Sequence, residues 1–250
     1  MKHIMLLLLL LSAFSPLFAV NADSLFSQAN GNYKDGQFEQ AAGDYQKLID
    51  AGNISGPIYF NLGNAWYKAG KMGLARLNYE RANRLIAGDE ALEQNLRMVR
   101  LRLVDQIQSP PVFFLTRWWN DLLSLFGLSV WLNAAFGSFL LMLLSAAYYL
   151  SNRRRGRDNG HVLFILLLIS WLGVGIIAAD RFYLFETEQS GIILSNMVMV
   201  YAAPEKDATE LFVIHEGTRV EIERNSGDWY EIRLADGKRG WLTKSSFEII

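Results

Sequence analysis

The sequence predicts a multidomain membrane protein made of α-helical repeats, a two-helix transmembrane hairpin and a C-terminal all-β barrel. Three observations lead there. Residues recur at a spacing of 34 between Leu25 and Ala87, two uncharged apolar runs flank an arginine cluster, and the chain after Glu188 changes to short β-branched and aromatic runs broken by turns. Of the 250 residues 51% are hydrophobic while the net charge is −1, which suits soluble appendages on a membrane anchor and excludes a nucleic-acid polyelectrolyte. The chain has no cysteine, hence no disulfide framework, thiolate metal site, thiol nucleophile or lipobox.

Residues 1–22 read as a secretory signal, with Lys2 as its charged start, 4–11 as its apolar core and Val20-Asn21-Ala22 as a small-residue site cleaved before Asp23. Cleavage after Ala19 and an uncleaved anchor are the alternatives. All three export the repeat region.

Residues 23–107 form that region. Ala29 and Gly63, Gly36 and Gly70, Ala41 and Ala75, and Tyr45 and Tyr79 are each 34 apart. Small Gly63 and Ala75 allow two helices of a hairpin to approach closely, Gly70 turns the chain, and Tyr59, Leu62, Tyr79 and Ala82 fill the contact. The stretch IYFNLGNAWYKAGKMGLARLNYERA resembles the tetratricopeptide repeat, and LFSQANGNYKDGQFEQAAGDYQKLI is a looser copy with the same spacing. Both copies lack the terminal proline, having Asn53 and Ala87 there. Two repeats bury their apolar faces poorly, so a cover is needed. Residues 89–107 supply it, with Asp89 as N-cap and Leu92, Leu96, Val99 and Leu103 at helical spacing. They read either as a capping helix or as the first half of a degenerate third repeat, since Asn95-Leu96 lies 34 beyond Asn61-Leu62. Pro110 and Pro111 end the segment.

Residues 112–126, with Trp118 and Trp119, read as an interfacial helix or as part of one long bent helix. Residues 128–150 carry no charge and would reach about 34 Å as a helix, enough for a hydrocarbon core of about 30 Å. Residues 152–161 hold Arg153, Arg154, Arg155 and Arg157 against Asp158, and a second span at 162–181 starts with 18 uncharged residues. The positive-inside rule keeps these arginines cytoplasmic and places both flanking regions on the other face. Ala134, Ser138, Gly175 and Ala179 are candidate contact points between the spans, and Asp180 and Arg181 are expected to pair at the exit.

Within 189–250 the runs at 191–200, 211–214, 219–224, 229–234 and 240–242 predict a barrel of about five strands. Ala203-Pro204, His215-Glu216-Gly217-Thr218, Gly227-Asp228-Trp229-Tyr230 and Gly240-Trp241-Leu242 make this region resemble the bacterial SH3 module, an SH3-like barrel.

No catalytic constellation emerges. His3, His161 and His215 lie in unrelated regions, which rules out a convergent His-based triad or metal site, and no glycine loop has phosphate-cradling spacing. The chain is expected to be no enzyme and to need no cofactor or metal. Binding remains. The inner face of the repeats would offer Asn30, Tyr33, Lys34, Asn61, Asn64, Tyr67 and Lys68 to an extended peptide. A carboxylate clamp would want further cations where Phe26, Ala91 and Asn95 stand. The barrel would offer Tyr201, Trp229, Tyr230 and Trp241, as core or as groove.

The order of signal, repeats, paired tryptophans in RWWN, two spans and an SH3-like module with GDWYEIRLADGKRGW resembles the aerotolerance operon protein E family. The resemblance implies a non-enzymatic inner-membrane scaffold with both soluble modules periplasmic. Its partners would be the lipid bilayer and von Willebrand A-domain membrane proteins of the same operon, in aerotolerance or envelope stress, and no nucleic acid. The other reading is a cell-wall sensor whose SH3-like module binds peptidoglycan peptides.

Overall fold

The computed structural model describes residues 19–108, 110–154, 160–187 and 189–250. The signal expected over 1–22 lies outside them as far as residue 18, as do Arg155 and Arg157 of the basic loop. Five helices come first: α1 (Ala19–Lys34), α2 (Phe38–Asp50), α3 (Gly56–Lys68), α4 (Met72–Leu85) and α5 (Glu90–Arg100). They pack in sequence order as two hairpins and a covering helix.

The 34-residue period is visible atom by atom. Gly36 (φ 78°) and Gly70 (φ 80°) each end the first helix of a hairpin in the left-handed conformation. The amides of Gly36 and Gly70 donate to Tyr33 O and Tyr67 O, and those of Gln37 and Lys71 donate to Asn32 O and Trp66 O. Ser55 caps α3 by accepting the Ile58 amide, and Asp89 caps α5 by accepting the Leu92 amide at 2.9 Å. The first hairpin buries Ala29, Ala41, Ala42, Tyr45 and Leu48 against Leu62 and Ala65. The second buries Ala75, Tyr79 and Ala82 against Leu92, Leu96, Val99 and Leu103, so the α5 stripe covers the face that the hairpin leaves open. At Gly63 a Cβ would stand 2.5 Å from Tyr79 Cδ1, which shows how closely α3 and α4 approach.

A short helix α6 (Phe114–Ser124) comes next, separate from the two long ones, α7 (Leu128–Arg154) and α8 (His161–Thr187). Of the two alternatives for 112–126, a distinct helix is therefore the one seen. Each long helix has 27 residues and is long and apolar enough to cross a membrane. Only 17% and 6% of their most apolar windows are buried, unlike the core helices of a soluble protein. They pair along Tyr149 stacked on Phe164 and Phe139 against Trp171, with Ser145 and Ala178 buried. The expected small-residue seam is not what brings them together: Ala134 and Ala179 are exposed, and a Cβ at Gly175 would meet nothing within 4 Å. Ser145 and Ala178 are the small residues buried instead, alongside the two aromatic pairs. Asp180 accepts the indole N–H of Trp119 at 2.6 Å, which ties α6 along the end of α8.

The remainder is a seven-stranded antiparallel sheet: β1 (Ser190–Ile193), β2 (Met197–Tyr201), β3 (Glu210–His215), β4 (Arg219–Ser226), β5 (Trp229–Arg233), β6 (Arg239–Thr243) and β7 (Phe247–Ile249), in the order β3-β2-β6-β5-β4-β1-β7. The five expected strands become seven because the 191–200 run breaks at 194–196 into two strands, and 247–249 adds a last one. Its core is Ile193, Val198, Val200, Ile214, Val220, Ile232, Leu234, Leu242 and Phe247.

The barrel sits on the outer helix of the second hairpin. Glu216 accepts the Gly73 amide at 2.9 Å near the start of α4, where free helix N–H groups favour an anion. Arg76 donates to Gly217 O at 2.7 Å, Arg81 pairs with Glu248 at 2.7 Å, and Arg84 donates to Ile250 O and Phe185 O. Glu80, only 4% exposed, lies among Arg76 (3.6 Å), Arg100 (3.7 Å) and Arg219 (3.4 Å). The segment after α5 adds a latch. Asp105 accepts the His215 amide at 2.7 Å and the Thr218 hydroxyl at 2.6 Å, and its other oxygen lies 2.8 Å from His215 Nδ1. Leu103 packs against Gly217, and Ile107 reaches the barrel core.

Candidate functional site

On the repeats, the candidate residues divide into those consumed by the fold and those left available. Asn30 and Asn64, one period apart, accept the hydroxyls of Tyr45 and Tyr79 at 2.6 and 2.8 Å, and Asn64 also accepts the Asn95 amide at 2.8 Å. Burial pushes the Tyr45 hydroxyl up to about 12, with Tyr33 adding to it, and burial raises Tyr79 as well. Both phenols therefore stay protonated donors, and both asparagine carbonyls stay occupied. Tyr33 packs edge-on against Phe38 at 5.4 Å, and Tyr67 carries the Arg102 guanidinium 4.7 Å above its ring. Lys34 and Lys68 are exposed, and Asn61 is half-buried. The open polar groups of this surface are thus Asn61, Lys34 and Lys68, with Arg102 as a cation that the repeat spacing does not point to.

On the barrel, strand alternation sorts the four aromatics. Tyr230 faces inward, packing edge-on against Phe247 at 5.3 Å and onto the core. Tyr201, Trp229 and Trp241 share the opposite face. Tyr201 stands across the ladder from Trp241 and meets Trp229 edge-on at 5.7 Å. Glu231, the neighbour of Trp241 in the β5–β6 ladder, is buried and receives the Arg224 guanidinium. It places a satisfied carboxylate beneath the aromatic cluster. The same face runs on over β2 and β3, where Met197 is 66% exposed and Val213 stands opposite Met199. An aromatic cluster continued by flexible methionines and exposed aliphatics is suited to an extended, partly apolar ligand.

Residues 198–248 match the family model described as bacterial SH3 domain. The C-terminal barrel is a bacterial SH3 domain. Among solved structures, NlpC2 from Trichomonas vaginalis is 20% identical with a TM-score of 0.24, the overlap covering 26% of each chain. NlpC1 from the same organism is 22% identical with a TM-score of 0.23, the overlap covering 26% of this chain and 24% of that one. The chain thus spans about a quarter of the length of each. No curated protein matches the chain.

The SH3 domain docks through the β3–β4 turn and the β1–β7 edge. Its aromatic face on β2, β5 and β6 takes no part in the contacts with α4. Those contacts are the part of the site that sequence reasoning missed. His215-Glu216-Gly217-Thr218 marks the barrel in the sequence, and this motif proves to be where the domain holds the repeats, through hydrogen bonds from side chain and backbone. Among the described residues no group of three or more His, Cys, Asp or Glu side chains is placed to hold a metal ion.

Proposed function

We propose that the chain is a non-enzymatic membrane-anchored scaffold in which a tetratricopeptide pair and the SH3 domain, joined side to side and carried by the α7–α8 hairpin, recruit protein partners in the periplasm. The observation that carries this reading is the docking itself. The barrel spends its β1–β7 edge on α4 and leaves Tyr201, Trp229 and Trp241 open, while Lys34, Asn61 and Lys68 remain open on the repeats. The basic tip of the hairpin, with Arg153 and Arg154, supports a cytoplasmic loop and two exported modules. The resemblance to the aerotolerance operon protein E family supports von Willebrand A-domain membrane proteins as the partners, in aerotolerance or envelope stress. A cell-wall reading is favoured by the SH3 match and by the aromatic face, which would bind peptidoglycan peptides.

One comparison separates the two. Affinity purification of the full chain in mild detergent should recover membrane A-domain proteins, and Trp229→Ala/Trp241→Ala should reduce that recovery by about tenfold or more, the scale of two aromatic anchors. Both rings are half-buried, so the melting of the double variant is followed beside the parent, and a lost recovery is assigned to partner binding only where the barrel still unfolds cooperatively. Recovery that survives the double variant, while retention on purified sacculi is lost, transfers the function to the cell wall.

A further inference from the structure

Where the repeats meet the hairpin there is a cavity that neither binding surface uses. It measures about 360 Å³ and is lined by Asn83, Glu93, Arg97, Arg100, Ser124 and Arg181, with Gly88 and Leu96 closing its wall. Three arginines there face one carboxylate. Arg100 also reaches Glu80 at 3.7 Å, but Arg97 is exposed, and among the described residues no acid pairs with it. Arg181 has an interaction of its own, so Arg97 is the guanidinium left over, and set beside the other two on a pocket of that size it suits a tetrahedral oxyanion, whose oxygens accept paired N–H donors.

The position of the cavity narrows the source of that anion. Arg181 stands two residues beyond the uncharged run at 162–179, where an apolar span ends. Ser124 ends α6, the helix that the Trp119–Asp180 bond ties to α8, and Trp118 on α6 is 60% exposed with Phe113, Phe114 and Leu115 also outward. Exposed aromatic side chains beside the end of an apolar span mark headgroup depth. We infer that this cavity binds the phosphate of an anionic phospholipid headgroup in the leaflet beneath the two modules. The inference rests on the membrane reading above. Asn83 and Ser124 line the same pocket and suit the hydroxyls of a glycerol headgroup, and the apolar flanks of α6 and α8 would accompany its acyl chains. Occupied, the site would pin the repeats to the bilayer surface.

The test places the full chain in bilayer discs of phosphatidylcholine with or without phosphatidylglycerol and follows thermal unfolding. Phosphatidylglycerol should raise the midpoint by roughly 2–4 °C. Arg97→Gln, an exposed change that leaves the core untouched, should remove the rise, and Arg117→Gln, a basic residue of α6 outside the cavity, should keep it. Equal midpoints in the two lipids, or a rise that persists in Arg97→Gln, would overturn the site. An equal rise from soluble glycerol phosphate added to phosphatidylcholine discs would overturn the lipid as its source. Failure of the chain to enter discs at all would remove the membrane reading and the site together, whereas entry without lipid preference removes the site alone.

Discussion

Gly63→Leu is expected to unfold the second hairpin and take the barrel's platform with it. A Cβ at this position would already stand 2.5 and 2.7 Å from two ring carbons of Tyr79, and Tyr79 has nowhere to go. Its ring is fully buried, and its hydroxyl is held by Asn64, which in turn holds Asn95 of α5. Three more carbons must therefore separate α3 from α4 or expel the tyrosine. Overpacking of this kind costs about 1–3 kcal/mol in a core that can adjust, and this one sits at the upper end or beyond. The loss should extend past the repeats, because α4 carries Arg76, Arg81 and Arg84, which hold the barrel. Thermal unfolding by circular dichroism should show a much lower midpoint for the helical signal. Gly43→Ala is the control: it lies in α2 with nothing within 4 Å of a new Cβ, and should be neutral or stabilising by about 0.5–1 kcal/mol. Equal midpoints for Gly63→Leu and the parent would contradict the packing described.

Asp105→Ala is expected to release the SH3 domain while both modules stay folded. One carboxylate accepts three donors from the barrel, and its removal leaves the Thr218 hydroxyl and the His215 amide unpaired in the seam, at about 1–3 kcal/mol for each group that stays buried. Trypsin should then cut after Arg100 and Arg102 many times faster than in the parent, and Asp105→Asn should fall between the two. The latch also has a pH signature. Burial alone would raise the Asp105 carboxyl, but the hydrogen bonds from Thr218 and His215, together with the charge His215 can carry, outweigh it and hold the group below its ordinary value of 3.8. A depressed carboxyl stabilises the folded form above its unfolded value, and that contribution is lost as pH falls through the folded one. A similar opening in the parent should therefore appear as pH falls below about 4, followed with an acid-active protease.

Local features of the fold were legible in the chain and distant ones were not. The 34-residue spacing of Tyr45 and Tyr79, Gly36 and Gly70, and Ala41 and Ala75 marks positions that do equivalent work in two hairpins, so periodicity alone finds them. Alternation likewise finds the barrel. The docking had no such signal: Arg76, Glu80, Arg81 and Arg84 form a charged stripe on α4 that looks like a solvated helix face, and their partners in the barrel and on α8 are more than 100 residues away. Asp105 and His215 are 110 apart for the same reason. On the candidate surfaces, residue type did not distinguish Asn30 and Asn64, which the tyrosine hydroxyls use, from Asn61, which stays available. Tyr230 and Trp229 are adjacent, and only the strand register separates the core ring from the surface ring.

The central claim, two modules joined on one side of a membrane with the hairpin tip on the other, is tested most directly by cysteine accessibility. The chain has no cysteine of its own, so single substitutions can be read without background. Asp35→Cys in the repeats, Asp158→Cys in the basic loop and Asp236→Cys in the barrel are to be labelled with a membrane-impermeant maleimide in cells whose outer envelope is opened and whose inner membrane is intact. Labelling at Asp35→Cys and Asp236→Cys, with Asp158→Cys reacting only after lysis, is the expected result. Labelling of Asp35→Cys and Asp236→Cys on opposite sides, or of Asp158→Cys alone in intact cells, would contradict it.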